Sequence, residues 1–522
     1  MSNRKKMAVM NVFSAIMYYV ANSIIGFINR KVFTVYLGSE LLGLNGLVVS
    51  VISMLSLLEL GVASSIGYSL YKPLEEKNYG EVKAIMQLFS RLYRYIGIAV
   101  AVIGLVLIPF LPFFVRTTID QNYVIAVYLI FLLDAVLSYF MAYRRTIIVS
   151  AQKDYINKNA DTFLYIVTGI LQIIIICVWK SYIASLVVKL IFTVLNNLYL
   201  YIKAGKMFPY LNDKNLHGEI EKEVRDKIVY NVKALFVIKI ASYCVVGTDN
   251  ILLSAFADLT AVAIYSGYTL IIGIINNLFN RSFGYITANI GNYLIGHNKE
   301  EIYQFYNKLN FLNYLITSYT SIALLVLLNE FIGKVWLGED YVFPMAAVAV
   351  LVFNNYLRFC TQAAEAFRSA AGLYSPKPFV KYIALLEGGV NLVVSVALAY
   401  FAKMGIYGIF LGTSVSTIVS IVTVAWINYR FLFEKPLYQY FFDFFKYIIL
   451  AISMGGLSLF IFNIAYTTHT VLNICSGLII SFIVPFGINF VIFGRSEEWK
   501  YFTAMIKTAY NKIMRKRGNR YK

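Results

Sequence analysis

Three arginines stand inside apolar runs of the sequence: Arg30, Arg281 and Arg358. A cation at the centre of a bilayer costs about 2.5–3.5 kcal/mol on insertion scales, so such residues face a bundle interior or a wet cavity. Each lies on a polar stripe of helical period. Asn11, Ser14, Tyr18, Asn22 and Asn29 lead to Arg30 and Lys31. Lys239, Ser242, Asp249 and Asn250 share a second face, and Asn277, Asn280, Arg281 and Gly284 a third. Asn354, Arg358, Thr361, Gln362, Glu365 and Arg368 recur every three to four residues. A stripe of that period means one wet face and one lipid face. The chemistry on offer is anion binding, because guanidinium forks match phosphate oxygens. The amides of Asn22, Asn29, Asn280, Asn354 and Gln362 add hydrogen bonds suited to sugars. Asp249, Lys239 and Glu365 are candidates for coupling to an ion. Interhelical hydrogen bonding is the competing role for the asparagines and serines, and Arg30 could instead snorkel from a span end. Glu59, Asp134, Lys189 and Glu387 are single charges in apolar runs and read as ion pairs within a bundle.

The elements that carry these stripes must be membrane helices. Of 522 residues 59% are hydrophobic and 14% charged, against roughly 25% charged in soluble domains. Apolar runs fall at about 10–36, 40–68, 94–115, 121–142, 160–179, 182–202, 232–256, 261–290, 310–333, 341–365, 380–402, 405–429, 446–466 and 471–493. Each is near the 20 residues or so that cross hydrocarbon, and all are too long for barrel strands. The reading is an all-α polytopic membrane protein of about 14 transmembrane helices. The first run lacks the small-residue cleavage site of a signal peptide and reads as the first span.

A net charge of +19 would point to nucleic acid in a soluble protein. Here Lys and Arg gather in alternate short loops, which sets topology instead and leaves no nucleic-acid partner. By that rule both termini are cytoplasmic in a multi-pass protein of the cell membrane. His217, His297 and His469 are too scattered for a metal site, and Cys177, Cys244, Cys360 and Cys475 form no CxxC pair. No GxxxxGK[ST] loop is present, and no cofactor is expected.

Polarity divides the chain into a six-helix lobe (1–202), a cytoplasmic connection (203–231), a second six-helix lobe (232–429), two further helices (430–494) and a basic cytoplasmic tail (495–522). A shift of about 220 residues lays EEKNYGEVKAIMQL on IGHNKEEIYQFYNKL, a weak repeat that fits a two-lobed transporter. The tail places Trp499, Phe502, Ile506, Ala509 and Ile513 on one face, as an interfacial helix would.

The stretch YLGSELLGLNGLVVSVISMLSLLELGVASSIGYSLYKPLEEKN (36–78) resembles the opening of bacterial polysaccharide flippases, the O-antigen and capsule repeat-unit translocases of the multidrug/oligosaccharidyl-lipid/polysaccharide exporter superfamily. GTDNILLSAFADLTAVAIYSGY (247–268) and FRSAAGLYSPKP (367–378) are similar to later parts of the same group. The resemblance implies two six-helix lobes plus two C-terminal helices and a cavity opening alternately to each side. It implies an undecaprenyl-pyrophosphate-linked oligosaccharide as substrate, held by cavity cations such as Arg30, Arg281 and Arg358. It also implies a polysaccharide polymerase and glycosyltransferases as pathway partners. A lipid II flippase and a drug/cation antiporter of the superfamily are the alternatives. A membrane enzyme would need a large outer loop or an acid and histidine cluster, and neither is present. Gly43, Gly46, Gly61 and Gly67 would allow close helix approach.

Overall fold

A computed structural model describes residues 3–59, 62–115, 117–226, 228, 230, 232, 240, 243–244, 247–373 and 382–518. The described residues are helices joined by short turns, with no β-strand among them. They fall into two compact units, 1–266 and 267–522.

In the first unit, α1 (Asn3–Leu55) is longer than a bilayer can hold. Its apolar part, Lys6–Leu55, has 50 residues, or roughly 75 Å at 1.5 Å per residue, against about 30 Å of hydrocarbon. The run breaks at Gly38, where φ is 83° and ψ 176°, a conformation that essentially only glycine adopts. Glu40 fixes the break to the turn at 117–118, accepting from the Thr117 hydroxyl at 2.7 Å and the Thr118 amide at 2.8 Å. One helical run thus supplies two spans. The rest of the unit is α2 (Val62–Glu75), α3 (Tyr79–Leu107), α4 (Gln121–Ala142), α5 (Arg145–Ser150), α6 (Tyr155–Trp179), α7 (Tyr182–Met207), α8 (Asp249–Phe256) and the start of α9 (Leu259–Gly296). α1 packs mainly on α6, and α4 on α3 and α7. At Gly43 a Cβ would lie 1.8 Å from the Leu259 carbonyl oxygen, so α1 and α9 meet backbone to backbone there.

The second unit is organised on α10 (Lys299–Glu330), followed by α11 (Met345–Cys360), α12 (Gln362–Ala370), α13 (Ile383–Val396), α14 (Ile406–Ile427), α15 (Leu437–Ala465), α16 (Thr470–Phe493) and α17 (Glu497–Gly518). One face of α10 packs Phe311, Tyr314 and Ile322 with Met454, Phe462, Phe493 and Trp499 of the last three helices. Tyr306 of α10 joins Phe367, Tyr429 and Phe433 in a second cluster. Polar contacts lock the same helix: Tyr314 donates to Asn489 Oδ1 at 2.8 Å, and Tyr466 and Asn473 donate to the buried Glu330 carboxylate at 3.0 and 3.1 Å.

Among the described residues, eleven helices are long and apolar enough to cross a membrane. Fourteen apolar runs reconcile with eleven helices at three places. α1 combines two spans. The run 341–365 is divided at Thr361 into α11 and α12, each too short alone. The run 232–256 falls largely outside the described residues, apart from α8.

The 220-residue repeat has a physical counterpart at helix starts. α3 begins with Asn78 accepting from the Glu81 amide at 3.2 Å. α10 begins 220 residues on, with Asn298 accepting from the Glu301 amide at 2.9 Å and Glu301 accepting from the Asn298 amide at 3.0 Å. Both are Asn caps with Glu at the third helical position, the pattern that satisfies orphan N–H groups at a helix start.

Candidate functional site

In the first unit the stripe of α1 carries Asn22, Asn29 and Arg30, all half-buried. The Arg30 guanidinium donates to the buried Ser266 hydroxyl at 2.6 Å. That partner is neutral, and among the described residues no carboxylate pairs with Arg30. Beside it, Asn29 Oδ1 is buried without a hydrogen-bond partner among the described residues, an exception to the rule that buried polar atoms are paired. Asn11, further along, is tied down at both ends, donating to the Gln152 carbonyl and accepting from the Tyr155 amide. Asp249, at the start of α8, accepts from Tyr265 at 2.6 Å. Arg30 and Asp249 therefore engage consecutive residues of α9. Lys239 lies outside the described residues.

In the second unit, Asn280 is exposed on α9, and the side chain of Arg281 is outside what is described. Asn354 is engaged between helices, donating to the Phe410 carbonyl at 2.8 Å and accepting from Ser414 at 2.5 Å. Around Thr361 the stripe becomes a charge cluster. Glu365 pairs with Arg368 at 2.7 Å. Glu387 of α13 accepts from Ser420 and lies within electrostatic reach of Arg358, Glu365 and Arg368. Gln362 is half-buried on the same short helix. The two arginines thus differ in setting: Arg30 faces a hydroxyl, whereas Arg358 lies within reach of the Glu387 carboxylate. A cation with neutral partners retains its full attraction for an incoming anion. One with internal counter-charges must exchange them.

Sequence reading passed over a network in the first unit. Arg145 and Asp161 pair at 2.5 Å, Asn196 donates to Asp161 at 2.9 Å, and Asn197 donates to Ser138 at 3.1 Å. This network joins α4, α5, α6 and α7. Arg145 had the appearance of a loop charge that merely sets topology, because it follows directly on a span. Glu59, expected in an ion pair, instead accepts from the neutral Tyr93 hydroxyl, and among the described residues no cation pairs with it. Lys189 lies 4.6 Å over the Phe131 ring and within electrostatic reach of Asp134.

Residues 8–287 match a family model described as polysaccharide biosynthesis protein. The chain belongs to that family. This polysaccharide biosynthesis protein has the fold of the MOP superfamily transporters. An inward-facing multidrug resistance MATE family transporter of that superfamily matches with a TM-score of 0.63 at 12% identity, over 81% of this chain and 98% of its own. The lipid II flippase MurJ in an inward closed conformation matches at 0.62 and 12% identity, over 92% and 99%. A MOP superfamily transporter from Pyrococcus furiosus, described as having a binding pocket of reverse polarity, matches at 0.52 and 12%, over 82% and 96%. At such identities the likeness is one of fold. No curated protein matches the sequence. The protein is therefore a multi-pass membrane protein of polysaccharide biosynthesis built on a transporter fold.

Proposed function

We propose that this protein is a flippase carrying undecaprenyl-pyrophosphate-linked oligosaccharide repeat units from the cytoplasmic to the outer leaflet by alternating access. The reading is supported by the family match over 8–287 together with a transporter fold. The observation that carries it is Arg30, a half-buried cation within an apolar run whose acceptor is a hydroxyl. Such a group attracts the pyrophosphate, the part of the substrate that hydrocarbon excludes most strongly. Arg281 and Arg358 would serve the same head group. Asn22, Asn29, Asn280, Asn354 and Gln362 would contact sugar hydroxyls. Asp249, Lys239 and Glu365 are the coupling candidates. Both termini would be cytoplasmic, with polymerase and glycosyltransferases acting before and after the step.

Deletion in the native host, read by surface polysaccharide and by lipid-linked repeat units, tests this function. Loss of polymer with repeat units held on the cytoplasmic leaflet is expected. Arg30→Ala should fail to restore export, and Arg30→Lys should restore part of it, since a point charge replaces a bidentate fork. Normal polymer with altered resistance to cationic drugs would assign the antiporter role instead. Loss of lipid II export would assign the role that the MurJ structure carries in its name.

A further inference from the structure

The first unit holds a second cationic cluster, apart from Arg30. A cavity of about 370 Å³ lies against α3, lined by Lys83, Ser90, Arg91, Arg94, Tyr143 and Arg144 among others, with no carboxylate in its wall. Arg144 is 9% exposed. It donates to Asn212 Oδ1 at 2.8 Å and lies 3.9 Å over the Tyr201 ring. Lys83 donates to the carbonyls of Asp213 and Leu216 in the connection after α7. Arg91 and Arg94 are exposed and point no charge at an acid. None of the four cations forms an ion pair among the described residues.

The level of the cavity follows from α3. Its 29 residues span roughly 44 Å, more than hydrocarbon requires. The apolar part begins at Ile96, directly after Arg94 and Tyr95, so the arginines stand at the headgroup boundary. The repeat sharpens the point. Shifted by 220 residues, Arg91 and Arg94 fall on Phe311 and Tyr314 of α10. There Tyr447, Phe493 and Trp499 cover both rings. The same face that protein helices cover in the second unit is cationic and uncovered in the first.

We infer that this cavity binds the phosphate of an anionic phospholipid headgroup from the adjoining leaflet, the cytoplasmic one by charge. A phosphodiester supplies the negative charge that the four cations do not find among the described residues, where their acceptors are neutral, and its acyl chains continue along the apolar half of α3. Clusters of basic residues at that boundary attract such lipids strongly.

The test uses the full chain purified in detergent, with native mass spectrometry after addition of dioleoyl-phosphatidylglycerol or dioleoyl-phosphatidylcholine. The wild type should retain phosphatidylglycerol in preference to phosphatidylcholine. The Arg91→Gln/Arg94→Gln variant, changed only at exposed side chains, should lose about tenfold or more in affinity for it. Lys72→Gln/Lys222→Gln, an equal change in charge elsewhere, should not. Arg144→Gln should weaken binding further if it folds, which size-exclusion chromatography reports. Equal retention of the two lipids would overturn the inference, as would retention unchanged in Arg91→Gln/Arg94→Gln. Displacement of the lipid by millimolar inorganic pyrophosphate would overturn the lipid source and make the site one for soluble phosphates.

Discussion

Arg145 and Asp161 show what a charge costs when its partner is removed. Both side chains are mostly covered, at 26% and 16% exposure, and Asn196 and Asn197 complete the arrangement. Asp161→Asn leaves the guanidinium without its counter-charge, a loss of roughly 2–4 kcal/mol for a partly buried pair. The expected result is a clear fall in the thermal midpoint in detergent. Arg145→Gln/Asp161→Asn together should recover more than half of it, and a double variant no more stable than the single one would contradict the account. At this scale the sequence was partly legible. Period and cost located Arg30, Asn354 and Arg358, because polar residues within hydrocarbon stand out one by one. Their partners were hidden, because Ser266 and Glu387 lie 236 and 29 positions away, and only folding brings them close. Arg145 was hidden for another reason: a cation next to a span end looks the same whether it stays in the loop or turns back into the bundle.

Elements were the most legible level, since apolar length alone fixes a membrane helix. The exceptions are breaks. Gly38 ends the first span of α1 through its backbone conformation, with nothing within 4 Å of a Cβ placed there. Gly38→Ala should therefore cost about 1–3 kcal/mol through strain alone. Gly273→Ala, equally open but inside α9, should not, and a thermal melt of the two variants compares them directly. The interruption at Thr361 carries no Gly or Pro to mark it. At the tail, the helical period of Trp499, Phe502 and Ile506 was readable, and α17 forms there. Its first turn is held by Trp499, 4% exposed, against Phe311, Phe486 and Phe490. Beyond it Met505, Ile506 and Tyr510 are exposed, an apolar face for the membrane surface. Trp499→Ala should forfeit roughly 3–5 kcal/mol of packing and release the helix, seen as faster tryptic cleavage at Lys507. Unchanged cleavage would mean that lipid, not Trp499, holds it.

The described residues fall into two units, 1–266 and 267–522, and in the second the last three helices pack on α10. Matched Asn caps 220 residues apart mark the repeat, and the faint identity of the two stretches was its sequence trace. Those last three, α15 to α17, form an addition that the sequence shows as two extra spans and a basic tail but not as the cover of α10. Its attachment is mixed: aromatic packing on Phe311 and Tyr314, the Tyr314–Asn489 bond, and two donors to Glu330. Two ion pairs, Lys299–Glu434 at 2.5 Å and Lys435–Glu300 at 2.6 Å, cross where the addition begins. Co-expression of 1–434 with 435–522 should yield fragments that purify together in detergent. Glu330→Leu should reduce that recovery severalfold, because the buried Asn473 amide and the Tyr466 hydroxyl would both lose their bond to α10. Fragments that never associate would show the addition to be held only by its covalent link.

Glu330 also sets a clock. Its donors, Tyr466 and Asn473, come 136 and 143 residues later. At synthesis rates of about 5–20 residues per second they emerge roughly 7–29 s after it. Throughout that interval α10 stands in the membrane with its carboxylate unsatisfied and its aromatic face open to lipid. Docking of the last helices on α10 therefore belongs to the end of synthesis, after the rest of the chain has been made.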